Sequence, residues 1–455
     1  MNRGAIMFEH EKVLILGFAR SGYDCAKLLV KRGNEVFITD RKTKEELEIE
    51  KIEELESLGV NFILGTDDVN ILDNSFTYLI KSPGVPIKNP FVLRANELGI
   101  KVVNEVEVAY HLLPDNIKLI SITGTNGKTT TTSLTYEIIK EAYPNTHLVG
   151  NIGIPFTRLL DDIKEGDIIV SEISCQQLAN LEEFKPNIAV MTNLFPAHID
   201  FFGDFETYKK VKAKLFKNQT SNDIAILNLE NEDVLEETKD IKSNKLYFSS
   251  RQNTDIYYTD GKIYYKDEEV LETSILKIKG MHNIENTMCA VAIAKQLNIS
   301  NDIIVKVVSN FVGVEHRLEF SGEVNGVKYY NDTEATNIKC TQIALDSFSE
   351  PTIIILGGLE RGQDFYELKD YMKNVKAIVG IGTCRDRVRE FGESMGINTY
   401  IYEYLKDAFP KCVELSSPGD VVLLSPGSAS WDQYKECEER GAEFKNYVKD
   451  LNINS

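Results

Sequence analysis

At 455 residues the chain is too long for one hydrophobic core, and three domains are the natural reading. With 42% apolar and 27% charged residues it has the composition of an ordinary globular protein, and a net charge of −19 argues against nucleic-acid binding while leaving local anion sites open. Seven scattered Cys without a CxxC pair read as reduced thiols of a cytoplasmic protein; Met1 to Phe8 is too short for a secretory signal, and no apolar run approaches the ~20 residues that span a bilayer.

The first elements read as a βαβ unit. A strand over Lys12 to Leu16 is followed by the turn GFARSG (Gly17 to Gly22), a helix over Tyr23 to Arg32 and a strand over Glu35 to Thr39 ending at Asp40. The turn approximates a dinucleotide fingerprint, but Ala19 stands where a middle glycine lets a pyrophosphate approach the backbone. NAD binding, a structural turn and binding of another nucleotide all stay open, the last being favoured, and Asp40 is placed to accept from a ribose or a base. Phe76 to Lys81 is a strand running into the rigid turn SPGVP (Ser82 to Pro86). Lys101 to Val103 is a strand, and a helix over Glu105 to Leu113 leads to Pro114, an exit from the first domain.

The second domain opens with KLISITGTNGKTTTT (Lys118 to Thr132): a buried strand, a Gly-rich turn and a helix starting at Lys128. Inward-pointing N–H groups and the helix N-terminus make a cradle for a polyanion; Lys128 adds charge for distal phosphates, and the Thr129 hydroxyl suits Mg2+. The loop is the short TGTNGKT form, with Ile122 where the general phosphate-loop pattern has its first Gly. GNIGIP (Gly150 to Pro155) places Asn151 in a Gly-rich turn. Asp167 to Val170 is a strand ending at Glu172, where a metal ligand is expected, the alternative being a solvated strand-end carboxylate. Asn187 to Thr192 is a strand entering NLFPAHID (Asn193 to Asp200), whose His198 reads equally as metal ligand, base or packed loop imidazole. Phe205 to Gln219 reads as an amphipathic helix with a solvated Lys-rich face. Short strands over 224–228, 245–248, 255–259, 262–265 and 275–278 give the sheet an antiparallel portion, and Gly280 to Leu297 is a helix carrying Asn283 and Asn286 on one face.

The third domain begins near Gly313. Strands over Val327 to Tyr330, Thr352 to Leu356, Ala377 to Ile381, Asn398 to Ile401 and Val421 to Leu424 run into turns of small and polar residues, among them NDTEATN (Asn331 to Asn337), Gly357–Gly358 and SPGSAS (Ser425 to Ser430). This is a Rossmann-like layer, with ligands expected at the carboxyl edge of the sheet. The fold class is therefore α/β with three domains: a Rossmann-like N-terminal domain over residues 1–108, a central P-loop-type ATPase domain with a mostly parallel sheet over 109–312, and a Rossmann-like C-terminal domain over 313–455.

Taken together, TGTNGKTTTT, GNIG, EISCQQL (Glu172 to Leu178), the Pro-x-His-x-Asp loop, HN..N, GVEHRLE (Gly313 to Glu319), NDTEATN, LGG and LLSPGSAS resemble the Mur ligase family from end to end, in the same order. GFARSG, SPGVP and LLSPGSASWDQ look most like its D-glutamate-adding branch. The resemblance implies a cytoplasmic, monomeric, ATP- and Mg2+-dependent amide ligase of peptidoglycan assembly. It would join D-glutamate to UDP-N-acetylmuramoyl-L-alanine through an acyl phosphate.

By the same resemblance, Gly124, Thr125, Asn126, Gly127, Lys128, Thr129 and Thr130 bind ATP together with Asn283, Asn286, Arg317 and Asp332. Thr129 and Glu172 hold one Mg2+. His198 holds a second, supported by a carbamylated lysine matched within KAKLF to Lys214, so that Lys128, His198 and Lys214 form the catalytic set. Arg20, Ser21, Asp40, Arg41, Gly84 and Asn151 match contacts to the UDP substrate, and Thr336, Arg361 and Ser430 match the D-glutamate pocket. Three departures stand out: Glu334 where the pattern usually has Lys, Ala197 for the acid before His198, and Cys175–Gln176 for Ser–Phe.

Overall fold

The computed structural model describes residues 8–454. The first sheet is parallel, with strands β1 (Lys12–Leu16), β2 (Glu35–Asp40), β3 (Asn61–Leu64), β4 (Tyr78–Lys81) and β5 (Lys101–Val103) in the order β3-β2-β1-β4-β5. Val13, Ile15, Val36 and Ile38 pack on one face, and Leu14, Leu16 and Leu79 on the other, so apolar side chains are needed at successive positions. The strand order reverses between β1 and β4, and a ligand crevice forms where neighbouring strands send their connections in opposite directions. Both expected substrate turns leave from that point: Ser82 donates through Oγ to Gly17 O at 2.9 Å, and Asp40 accepts from Phe18 N at 2.7 Å and from Lys42 N at 3.0 Å.

The second sheet contains β6 (Lys118–Thr123), β7 (Thr146–Gly150), β8 (Ile168–Glu172), β9 (Ile188–Met191), β10 (Ile224–Asn228), β11 (Asn244–Ser249), β12 (Ile256–Thr259), β13 (Lys262–Tyr265) and β14 (Glu268–Glu272), ordered β14-β13-β12-β11-β10-β9-β6-β8-β7. Only β12–β13 and β13–β14 pair antiparallel. The strand expected over 275–278 lies instead at β14. Asp260–Gly261 and Lys266–Asp267 all have positive φ, the geometry of two-residue hairpin turns, so the chain reverses at once and β14 pairs before residue 275 is reached. The first sheet's domain is fixed on the second through buried acids. Glu105 accepts from Thr157 N at 2.7 Å and Oγ1 at 3.0 Å, Glu107 from the N–H groups of Glu182, Glu183 and Phe184, and Asp24 from Arg158 Nε at 3.0 Å.

The third sheet has strands β15 (Glu319–Val324), β16 (Val327–Asn331), β17 (Thr352–Gly357), β18 (Val375–Ile381), β19 (Asn398–Ile401) and β20 (Val421–Leu424), ordered β15-β16-β20-β17-β18-β19. All neighbours are parallel except the edge hairpin β15–β16, closed by Asn325–Gly326 with φ of 52° and 76°. The chain forms two compact units: one takes in the first two sheets and Glu285–Val308, the other Leu276–Ile284 and the chain from Ser309 onward. The seven cysteines are free, and among the described residues no helix is long and apolar enough to cross a membrane.

Candidate functional site

The phosphate loop leaves β6 between β8 and β9. Its conformation is set by the segment after β9: Thr125 N donates to Asn193 O at 2.9 Å, Asn126 N to Asn193 Oδ1 at 2.9 Å, and Thr192 Oγ1 to Asn126 O at 2.6 Å. Two loop glycines sit where a side chain has no room. A Cβ on Gly124 (φ +147°) would lie 1.9 Å from Thr192 Oγ1, and one on Gly127 (φ +79°) 2.3 Å from Asn286 Oδ1. The helix Lys128–Ala142 begins directly after Gly127, with Thr129 and Thr130 in its first turn, and Lys128 Nζ donates to Thr125 O at 2.7 Å. With the Thr125 and Asn126 amides taken by Asn193, the donors left for a polyanion are those of the helix N-terminus after Gly127.

Glu172 ends β8 beside this loop, in register with Ile122 and Gly150. It is 1% exposed; Oε1 accepts from Asn151 Nδ2 at 2.7 Å, while Oε2 is buried without a hydrogen-bond partner. A buried carboxylate oxygen left without a partner on the strand next to the one that feeds the loop fits a hard cation. Asn151 thus orients Glu172, and its N–H also binds Glu172 O at 2.9 Å. His198 is exposed and left-handed (φ 52°), capping the short helix Ile199–Phe202, a conformation that costs energy and that imidazole-bearing residues adopt more readily than most. Gln176, one of the departures, faces it with Nε2 3.3 Å from His198 Nδ1.

The lysine beside the loop is Lys212, not Lys214. The expected long helix is α-helical only over Phe205–Ala213, and Lys214 sits in a following 3-10 turn with Nζ on Ala179 O at 2.7 Å. Lys212 is 1% exposed, and its Nζ donates to Gly124 O and, at 3.2 Å, to Thr123 Oγ1. Burial, reinforced by the nearby charge of Lys128, pulls its amine down to about 7. The Lys-rich face is therefore not wholly solvated: Tyr208, Lys209 and Lys212 are buried, and Tyr208 OH lies 2.9 Å from Thr125 Oγ1. The i, i+4 spacing of Tyr208 and Lys212, which stacks both under the loop, was the available sequence signal.

The other expected residues divide between the two units. In the first, Arg20 Nη2 donates to Gly153 O at 2.6 Å and so links the GFARSG and GNIGIP turns, Ser21 opens the helix Arg20–Lys31, Gly84 is exposed, and Arg41 pairs with Asp67 at 2.7 Å. Asn286 is buried and accepts from Thr131 Oγ1 at 3.2 Å, which supports the loop helix from below. Lys81, missed in the sequence, is fully buried, and its Nζ binds Val85 O at 2.7 Å and Ser82 O at 3.2 Å, holding the SPGVP turn closed; burial lowers it to about 8.

In the second unit, Asn283 Nδ2 donates to Lys279 O at 2.7 Å. Asp332 is buried: Oδ1 accepts from Leu318 N at 3.1 Å and Oδ2 from Ser425 Oγ at 2.7 Å, and burial raises it to about 7. It anchors the turn bearing Arg317, whose Nη2 pairs with Glu334 at 3.2 Å, so the departure at Glu334 forms a half-buried ion pair. Thr336 is exposed, Arg361 lies over the Trp431 ring at 5.6 Å, and the Ser430 hydroxyl is buried without a partner.

Comparison with known proteins agrees along the chain. The Mur ligase MurD-like N-terminal domain matches residues 11–104, the Mur ligase middle domain 122–294, and the Mur ligase glutamate ligase domain 316–427. The chain is 41% identical over 449 residues to a UDP-N-acetylmuramoylalanine–D-glutamate ligase of Geobacillus kaustophilus, covering 98% of each, and 40% identical over 447 residues to the Bacillus cereus (strain Q1) protein of that name, again covering 98% of each. Among solved structures, a UDP-N-acetylmuramate–alanine ligase of Thermotoga maritima shares the fold at 18% identity and TM-score 0.62, over 97% of this chain and 100% of that one. A MurF ligase of the same organism in complex with ADP shares it at 16% identity and TM-score 0.60, over 98% and 96%.

Proposed function

The chain belongs to the Mur ligase family, and from that premise we propose that it joins D-glutamate to UDP-N-acetylmuramoyl-L-alanine at the expense of ATP, in peptidoglycan precursor synthesis. The observation that carries this reading is identity of 40–41% over 98% of the chain to ligases of that name, together with a phosphate loop whose Gly124 and Gly127 leave no room for a Cβ.

A carboxylate is a poor acyl donor because its leaving group would be oxide. Phosphorylation by ATP supplies a good leaving group: the carboxylate oxygen attacks the γ-phosphorus, ADP departs, and the amine of D-glutamate then displaces phosphate through a tetrahedral intermediate. Phosphoryl transfer needs alignment and charge neutralisation more than covalent help. The amides from Gly127 to Thr130 and the Lys128 ammonium serve that role on the phosphates, while Thr125 and Asn126 spend theirs on Asn193 to hold the loop. Thr129 and Glu172 would hold one Mg2+, and His198 would hold a second. Metal held there would supply charge neutralisation for the phosphoryl transfer. Asn151 keeps the Glu172 carboxylate turned so that Oε2 stays open.

Lys212 takes the role that the sequence reading gave to Lys214. A buried amine with a pKa of about 7 is substantially neutral at physiological pH, so it is nucleophilic toward CO2. The resulting carbamate replaces a cation by an anion next to Lys128, where a metal must also fit. In this reading, residues 1–108 hold the UDP substrate through Arg20, Ser21, Asp40, Arg41 and Gly84; residues 109–312 hold ATP; and residues 313–455 hold D-glutamate through Thr336, Arg361 and Ser430.

The test is phosphate release from ATP with UDP-N-acetylmuramoyl-L-alanine and D-glutamate, L-glutamate or no amino acid. Release that needs the UDP substrate and is selective for D-glutamate is the expected result. Turnover selective for another amine would overturn the substrate assignment. A carbamate resonance from 13C-bicarbonate that survives in Lys214→Arg and disappears in Lys212→Arg is expected; the converse would return the role to Lys214.

A further inference from the structure

Arg440 lies in the first turn of the helix Cys437–Asn454 and is 1% exposed. A guanidinium taken out of water ordinarily sits against a carboxylate, because an unpaired buried charge is costly. Among the described residues none forms an ion pair with Arg440. Its donors go to neutral acceptors: Nε to Thr333 Oγ1 at 2.9 Å, and Nη2 to Thr333 O at 3.0 Å and Ser428 O at 3.2 Å. Nη1 is buried without a partner.

The acceptors identify what the charge is for. Thr333 belongs to the turn that carries Thr336, and Ser428 to the turn that carries Ser430. Gly358 belongs to the turn leading to Arg361, and a Cβ there would lie 3.1 Å from Nη1 and 2.3 Å from Ala429 O. Backbone bonds stitch the same turns: Gly427 N to Ala335 O, Leu359 N to Ala429 O and Gly357 N to Pro426 O, each at 2.8 Å. Thr333 Oγ1 passes the contact on to Cys437 O at 2.9 Å. The guanidinium therefore lies where the three turns meet, and the Ser430 hydroxyl, also buried and unpartnered, belongs to one of them.

We propose that Arg440 is a positioning residue of the amino-acid site: it clamps the turns bearing Thr336, Ser430 and Arg361, and its positive charge, which forms no ion pair among the described residues, favours a dicarboxylate beside them. This rests on the reading of that pocket as the D-glutamate site. Lysine keeps the charge but loses the planar fork, and Met loses both, so the two effects separate.

The test is steady-state kinetics of the full chain with Arg440→Lys and Arg440→Met, after circular dichroism has shown each to be folded. The KM for D-glutamate is expected to rise about tenfold or more in Arg440→Met, on the scale of a lost charged hydrogen bond, and less in Arg440→Lys. The KM values for ATP and the UDP substrate stay within about twofold of wild type on the same scale. Unchanged D-glutamate KM in both variants, or equal rises in all three KM values, would overturn the proposal. If Arg440→Met does not fold, Thr333→Val, which removes the Nε acceptor, and Thr333→Ser, which keeps it, decide: a raised D-glutamate KM in the first and a near-normal one in the second support the clamp, and identical values in both overturn it. Wild-type turnover is a separate readout: failure with D-glutamate but not with another amine overturns the substrate reading, and the KM split is then measured with that amine.

Discussion

Replacing Lys212 with Met tests the electrostatics of the site in the absence of any ligand. The amine falls from 10.5 to about 7 because burial penalises its charge. The unfolded chain therefore binds more protons than the folded one between those values, and stability rises with pH across that window. At or below pH 7 most of the penalty is present, on the order of 4–5 kcal/mol at 1.36 kcal/mol per tenfold. Above pH 10.5 both states are neutral and the penalty vanishes. Met fills nearly the same volume without charge but leaves Gly124 O and Thr123 Oγ1 without their donor, which returns about 1–3 kcal/mol. Calorimetric unfolding in CO2-free buffer should thus find Lys212→Met more stable than wild type by roughly 1–4 kcal/mol at pH 7, with the advantage gone or reversed by pH 10. Added bicarbonate should stabilise wild type and not the variant. A stability difference that does not change with pH would refute the reasoning, because it would mean that the amine is not desolvated where the structure places it.

Gly124→Ala drives a methyl into Thr192 Oγ1, so calorimetric affinity for a non-hydrolysable ATP analogue should drop about tenfold or more as the loop moves. Glu105 is raised to about 7, chiefly by burial, so the folded chain holds a proton that the unfolded chain loses near 4.5. Its contribution therefore falls as pH rises between those values, and wild type should lose roughly 3 kcal/mol relative to Glu105→Gln on going from pH 4.5 to 7, read from paired unfolding curves; parallel curves would contradict it. Glu172→Gln keeps the shape but removes the open anionic oxygen, and the Mg2+ concentration giving half-maximal rate should increase roughly 100-fold; an unchanged Mg2+ dependence would remove Glu172 from the metal site.

Interior strands were legible because burial on both faces demands continuous apolar runs, as in Val13–Leu16, Ile188–Met191 and Val421–Leu424. The edge strands β5 and β19 were read as well, but β3, β7, β14 and β15 were not. The strand Asn61–Leu64 lacks such a run, β15 depended on the Asn325–Gly326 turn, and β14 on a Lys266–Asp267 turn that lacks glycine. The phosphate loop and the strand end at Glu172 could be read because their signals are local. The burial of Lys212, Lys81 and Arg440 could not be read directly, Lys212 having only the weak signal of its spacing from Tyr208. Their partners include carbonyl oxygens that the folded backbone brings to them: Gly124 for Lys212 and Thr333 and Ser428 for Arg440, from distant turns, and Val85 and Ser82 for Lys81, from the turn that follows it. A charged side chain without a nearby carboxylate reads as solvated until the fold brings such acceptors to it.

The central claim is that the substrate carboxylate is phosphorylated before the amine attacks. UDP-N-acetylmuramoyl-L-alanine labelled with 18O in its carboxylate, turned over with ATP and D-glutamate, tests it directly by mass spectrometry of the phosphate. The account predicts one 18O carried into each phosphate and the other kept in the new amide. Unlabelled phosphate accompanying amide product would contradict it.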